Sequence, residues 1–397
     1  MKEENILLTR NGIAIAVLQL GLGVSGSLFF PFIEPLLFDL GASYTLITFR
    51  RTFVALASLF TSWVWGALSD FFQSHKSLMT FGFGTSVVFC IPFLFFHSLV
   101  YSPLFLLFSL AFFSLFRSMV FPVRNSVVTL ISKEESGGAN LGYIYTIFYL
   151  GWGGGSLFFG YMIEAGHLIR AFFLTALLSY LALSAFYLLF QDEKVEVKGK
   201  VEVEKKNILE MLAEVEKPLL ILALAIFLLG ISRNIFFSLF KIKLYVAYGR
   251  NYGLLGLVTT ISGVGGAAAT MLYGKSVDRF GGFTIFVVGA LMCMGFYFTL
   301  AFSSNPLIIT IPWILPVASL LTIPAVSITG RLSEEKKRGR AQGLVSGIRR
   351  IAGVGTVIGG ITADYVGNID LIFLGLTPFP VISILILYVL LRKEKRE

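Results

Sequence analysis

"FTIFVVGALMCMGFYFTLAFSSNPLIITIPWILPVASLLTIPAVSITG", residues 283–330, runs for 48 positions without one charged side chain. A helix that crosses the hydrocarbon core of a bilayer needs ~20 mostly apolar residues, because lipid offers an exposed backbone amide no partner. Two such helices and a tight turn at Ser303, Ser304, Asn305 and Pro306 account for the whole stretch. Carried outward along the chain, the same rule marks spans at 12–37, 47–69, 77–96, 104–129, 141–163, 169–190, 218–243, 253–274, 283–303, 306–328, 341–363 and 369–391. The expected fold is an all-α polytopic membrane protein with twelve transmembrane helices.

Composition agrees with lipid as the main solvent. Of 397 residues 56% are hydrophobic and only 14% charged, with a mean hydropathy of +0.83; soluble domains carry about 25% charged residues. Cys90 and Cys293 both fall in apolar runs, which suits buried small hydrophobes rather than redox or metal chemistry. The net charge of +9 does not imply nucleic acid, since the basic residues follow the loops and form no basic face or recognisable reading motif. There is no G-x-x-x-x-G-K-[ST] loop, no metal-ligand cluster among three scattered histidines and no nucleophile with a nearby base. The expectation is therefore not an enzyme, with no cofactor and no metal.

The only long polar stretch, "QDEKVEVKGKVEVEKKNILEMLAEVEK" at 191–217, divides the spans six and six. Its Lys/Glu mixture reads as a solvated linker ending in a surface helix from about Asn207. The expected organisation is an N-terminal bundle over 1–190, a cytoplasmic linker over 191–217 and a C-terminal bundle over 218–397. With the N-terminus inside, 21 of the 32 Lys and Arg residues fall on cytoplasmic tails and loops, so both termini are expected in the cytoplasm of a plasma-membrane protein. The first apolar run lacks a small-residue cleavage site and is expected to stay as the first helix.

The halves repeat. "GWGGGSLFFGYMIE" at 151–164 and "IAGVGTVIGGITAD" at 351–364 align at an offset of 200, where Gly153, Gly155, Gly160 and Glu164 meet Gly353, Gly355, Gly360 and Asp364. "GALSDFFQSHK" at 66–76 and "GKSVDRFGG" at 274–282 align at an offset of 208, where Gly66 and Asp70 meet Gly274 and Asp278. Small residues let helix backbones approach closely, which gives these glycines a packing role.

Six plus six spans, a charged central linker, glycine-aspartate phrases after helices 2 and 8 and glycine-rich helices 5 and 11 together resemble the major facilitator superfamily of secondary transporters. The family phrase reads roughly G-x-L-x-D-R-x-G-R-[RK]. Gly66, Leu68, Asp70 and Lys76 match it in the first copy, and Gly274, Asp278, Arg279 and Gly281 in the second. The resemblance implies two pseudo-symmetric six-helix bundles around a midplane site, with Asp70 and Asp278 latching the outward-open state. It also implies a small-molecule substrate and an ion gradient, protons first, as the energy source. A glycine-rich fifth helix marks many antiporters of the family, usually with an adjacent proline; here Ser156 stands after Gly155.

Charge at the bilayer centre costs ~2.5 to 3.5 kcal/mol on insertion scales, so each buried ion needs a partner, a cavity or a function. Arg117 on helix 4 resembles the arginine that opens a family motif linked to proton coupling, although Val120 and Phe121 stand where glycines would follow. Arg233 and Asn234 lie on helix 7, and helices 1, 4, 7 and 10 line the cavity in the family, so Arg117 and Arg233 are expected to face each other. Of Arg349 and Arg350 on helix 11 only one is expected to face the cavity squarely, and Arg350 is taken as the candidate. Arg124 is expected to snorkel at a cytoplasmic end, and Glu34 to pair with Arg50 or Arg51 or to carry a proton. Aromatic side chains nearby, among them Phe112, Phe113, Phe116, Phe236, Phe237, Tyr143, Tyr145 and Trp152, are candidates for an apolar part of the substrate.

Two functions fit: proton-linked efflux of amphipathic compounds, and symport or exchange of an organic anion held by intramembrane arginines. A non-transporting sensor or a lipid scramblase on the same scaffold is the third. Expected partners are a small molecule and the bilayer, with no nucleic acid and a monomeric chain.

Overall fold

The computed structural model describes residues 6–57, 74–131, 137–191, 217–315, 317–333 and 338–394. Gly66, Asp70 and the linker between its two ends fall outside the described residues. Within the described residues the chain is helical throughout, without a strand.

The helices occupy the twelve predicted spans, several of them broken. Span 1 is Arg10–Phe29 followed by Ile33–Asp39, span 2 is described over 44–57, and span 3 is His75–Val88 followed by Pro92–Phe95. Spans 4 to 9 are Pro103–Ile131, Gly137–Glu164, Leu168–Leu189, Lys217–Ala247, Tyr252–Phe280 and Gly282–Phe302. Span 10 is Pro306–Ile314 and Val317–Leu332; span 11 is Arg338–Ile351 and Thr356–Val366 about a 3-10 turn at Ala352–Gly355; span 12 is Ile369–Leu376 and Pro378–Glu394. Pro31, Pro92 and Pro378 stand at breaks, where a missing N–H and a ring clash interrupt the helical ladder. The apolar pattern does not reveal these breaks, because the residues on both sides remain hydrophobic.

Eight described stretches are long and apolar enough to cross a membrane unaided, including Arg10–Asp39, Lys217–Ala247 and Gly282–Phe302. Span 8 opens with the apolar stretch Tyr252–Gly266 of its longer helix. It packs broadly along span 5, and the glycines and threonines on those two helices meet each other instead of lipid.

Short turns make successive spans antiparallel. Gly166 and Gly367 take positive φ, at 77° and 69°, a conformation that closes a helix end without Cβ strain. The turns at 40–43, 165–167, 248–251, 303–305 and 367–368 therefore share one face, here called distal, and the linker ends share the other. Near the linker face Arg10 Nε donates to Leu189 O at 2.9 Å and Asn11 Nδ2 to Gln191 O at 3.0 Å, tying the start of span 1 to the end of span 6. Span 1 packs on spans 5 and 6, span 3 on span 4, span 7 on span 12 and span 9 on span 10. The two halves meet along span 5 against span 8 and span 2 against span 11.

Candidate functional site

The distal seam is built twice, by equivalent positions of the two halves. At the start of span 8, Asn251 Oδ1 accepts from Leu254 N at 2.7 Å, and Tyr252 N donates across the seam to Glu164 Oε2 at 2.6 Å. At the start of span 2, Ser43 Oγ accepts from Leu46 N at 3.2 Å, while Tyr44 N and Thr45 N donate to the Asp364 carboxylate, each at 2.8 Å. Thr45 Oγ1 adds a third bond to Asp364 at 2.6 Å. The first amides of a helix have no partner within it and carry its positive dipole end, so a carboxylate there is stabilising. Each half supplies that carboxylate to the other.

The repeated glycines lie beneath these caps. A Cβ on Gly160 would sit 2.6 Å from Tyr252 O and 3.0 Å from Gly256 Cα; one on Gly360 would sit 2.6 Å from Tyr44 O and 2.0 Å from Thr48 Oγ1. A Cβ on Gly353 would sit 2.9 Å from Ala55 Cβ and one on Gly153 3.5 Å from Thr260 O, again across the seam. Gly155 and Gly355 instead pack within their own halves, on Ser27 and Ile231. Thr52 serves the break in span 11: its hydroxyl lies 3.3 and 3.2 Å from Gly353 O and Val354 O and accepts from Val357 N at 3.1 Å.

A second set of seam contacts is ionic. Glu34 is buried, with Arg50 Nη2 at 3.0 Å and Arg51 Nη2 at 3.7 Å from Oε1, and Lys241 Nζ at 3.0 Å from Oε2. Lys241 also donates to Phe30 O. Asp39 Oδ2 accepts from the hydroxyls of Tyr245 at 2.5 Å and Tyr252 at 2.6 Å. Lys241, Tyr245, Tyr252 and Asp39 were not among the sequence candidates. Span 7 runs a full turn beyond its predicted end, to Ala247, which draws Lys241 and Lys243 inward from the helix end that the hydropathy pattern assigned them.

Arg117 and Arg233 are not brought together. Arg117 is buried against span 1, donating to Leu22 O at 2.5 Å and Ser25 Oγ at 3.0 Å, in the space that Gly26 leaves by lacking a side chain. The rings of Phe30, Phe113, Phe121 and Phe148 surround it, with centroids 5.1 to 5.8 Å from Cζ. Arg124 does not snorkel. It is buried, bonded to Gln19 Oε1 at 2.8 Å and Asn125 Oδ1 at 3.0 Å, and stacked 4.5 Å from the Tyr145 centroid. Replacing Arg117 by Ala is expected to cost about 3 kcal/mol of stability, as for emptying a large buried site, while Arg117→Met fills the slot and recovers most of it. Thermal unfolding of both variants measures this; an alanine variant as stable as wild type removes the packing role.

Arg233 points into a narrow cleft between spans 7, 9, 10 and 11, lined also by Gly230, Thr322, Ser346 and Arg349. Among the described residues Arg233 makes no hydrogen bond or ion pair, and no carboxylate lines the cleft. Arg349 Nη1 donates to Thr322 Oγ1 at 2.8 Å. Arg350 is exposed, so Arg349 replaces it as the cavity-facing member of the pair; residues 100° apart on one helix cannot both point inward. Asn234 is half-buried, its amide near the position that a Gly353 Cβ would take.

Of the aromatic candidates, Phe112 stacks on Phe89, and Phe236 stacks on Phe240. Trp152 and Phe237 reach the seam, where Trp313 joins them at centroid distances of 6.5 and 6.4 Å. In the second glycine-aspartate phrase Gly274, Asp278 and Arg279 occupy the last two turns of span 8; Asp278 and Arg279 are exposed, and Arg279 stacks on Phe280 at 5.1 Å. Lys76 lies 4.2 Å over the Tyr187 ring.

No curated protein sequence matches the chain. Among solved structures it is similar to a mutant of the nucleoside transporter NupG, at a TM-score of 0.78 and 13% identity, covering 96% of this chain and 99% of that one. A bacterial homologue of the human lysosomal transporter Spinster, inward-facing and unoccupied, gives 0.73 and 12% with 99% and 98% covered. The D-xylose-proton symporter gives 0.72 and 12% with 95% and 96% covered. Such identities establish the fold alone. The sequence model of the Major Facilitator Superfamily matches twice, over residues 15–224 and 222–397. With both halves matched and the duplicated seam in place, the chain belongs to the Major Facilitator Superfamily of transporters.

Proposed function

We propose that the chain is a secondary active transporter that carries an organic anion across the plasma membrane by alternating access. The observation that carries this reading is Arg233, a guanidinium at membrane depth with no hydrogen bond or ion pair among the described residues. A buried cation without a partner is costly, and an arginine fork fits the paired oxygens of a carboxylate or phosphate. Arg349 lines the same cleft. Glu34, the deepest acid among the sequence candidates, is held by Arg50, Arg51 and Lys241, so it is poorly placed to attract a cationic compound.

The aromatic group of Trp152, Phe237 and Trp313 at the seam would suit an apolar portion of the substrate. That group also favours the second reading, proton-linked efflux of amphipathic compounds. The seam contacts gather on the distal face. If the positive-inside bias sets both termini in the cytoplasm, this is the conformation closed to the outside, with Asp278 of the cytoplasmic phrase released. The two bundles, 1–190 and 218–397, would then rock about the midplane, driven by an ion gradient and acting as a monomer with a cytoplasmic linker.

The test is uptake into proteoliposomes. Accumulation of an aryl carboxylate or organophosphate that depends on Arg233 supports the anion reading. Transport of lipophilic cations driven by an imposed pH gradient, with no anion uptake, replaces it by efflux.

A further inference from the structure

We propose that Arg50, Arg51 and Lys241 form a second anion site, beside the Arg233 cleft, which takes a small inorganic anion such as chloride when the distal face is closed. Three cationic side chains converge on the single carboxylate of Glu34, and among the described residues no other acid is paired with them. With all three cations protonated the group carries two positive charges in excess, and Glu34, Arg50 and Lys241 are buried where water screens little.

The leftover hydrogen-bonding capacity points to what supplies the balance. Among the described residues Arg50 Nε and Arg51 Nε are buried without an acceptor, although Nη2 of each side chain already faces Glu34. Arg50 is only 5% exposed, so its Nε has no route to bulk solvent. A buried donor left unmade is penalised more than a made bond is rewarded, and an anion beside these Nε–H groups removes the penalty and the charge excess together. Arg51, with its side chain 23% exposed against 1% for Glu34, marks the way in.

The site spans the seam: Glu34, Arg50 and Arg51 belong to one half and Lys241 to the other. Separation of the halves strips Lys241 from Glu34 and Phe30 O and takes the site apart. An anion bound there therefore favours the distally closed state and opposes the opposite one.

Unfolding of the purified full chain in detergent, titrated with sodium chloride against sodium gluconate at equal ionic strength, tests the inference. A saturable rise in Tm specific to chloride is expected. Arg51→Gln and Lys241→Gln should abolish that response or weaken its midpoint about tenfold or more, while Arg233→Gln keeps it. Equal curves in chloride and gluconate overturn the site. So does a response lost in Arg233→Gln and kept in Arg51→Gln, which would put the ion in the substrate cleft. Equilibrium binding of radiolabelled chloride to the wild-type chain provides a check that needs no variant: one saturable class of site supports the proposal, and none overturns it.

Discussion

Replacing Glu164 by Gln together with Asp364 by Asn will shift the carrier toward the state open on the distal face, and more than either change alone. Each carboxylate caps a helix start that belongs to the other half, Tyr252 N for Glu164 and the amides of Tyr44 and Thr45 for Asp364. Removing such a cap costs about 1 kcal/mol. Two caps lost together amount to about 2 kcal/mol, roughly a thirtyfold change in the ratio of the two states. Because both residues are exposed at the rim, the folded bundles should not suffer. Single cysteines placed along span 5 and span 11 near the seam should become reactive to a membrane-impermeant thiol reagent from the distal side. Labelling unchanged from the parent protein would show that the caps do not hold the seam. The offset of 200 relating Glu164 to Asp364, and of 208 relating Tyr44 to Tyr252, makes a sharper demand: the two single variants should act in the same direction.

Arg233→Gln should lower affinity for an anionic substrate by about ten- to a hundredfold, the worth of one hydrogen-bonded charge contact in a sheltered site. Its effect on stability in the absence of substrate should be neutral or favourable. Arg233 has no protein partner among the described residues, so its removal breaks nothing and relieves a desolvated charge. Arg349→Gln should act in the same direction and less strongly, since Thr322 already engages one of its donors. Binding measured by thermal shift and by radioligand in the purified protein separates the two effects. A fall in unliganded stability with binding intact would make Arg233 a structural residue and leave the cleft without its anchor.

These outcomes differ in how far they were legible beforehand. The equivalence of Glu164 and Asp364 is visible as letters, but nothing in either phrase says that the carboxylates cap the opposite half. Arg117 and Arg233 look alike in sequence, each an arginine next to a serine in a long apolar helix. The first is spent on Leu22 O and Ser25, and the second faces an open cleft. Gly26, which makes room for Arg117, is one of 40 glycines and carries no local mark of that task. Lys241 was misplaced for a different reason: a helix end judged by hydropathy stops at the first lysines, whereas a lysine that meets a carboxylate inside the protein lets the helix run on.

The sequence by itself determined the solvent, the spans and the duplication, because the cost of exposing polar backbone to lipid acts residue by residue along the chain. Which charges are paired, which glycines lie on the seam and which face is closed depend on helices that meet far apart in the chain, from Glu164 and Tyr252 at a separation of 88 through Glu34 and Lys241 at 207 to Tyr44 and Asp364 at 320. That meeting is decided only when two similar bundles pack against each other, since a side chain's partner is then set by the surface opposite and not by its neighbours in the chain.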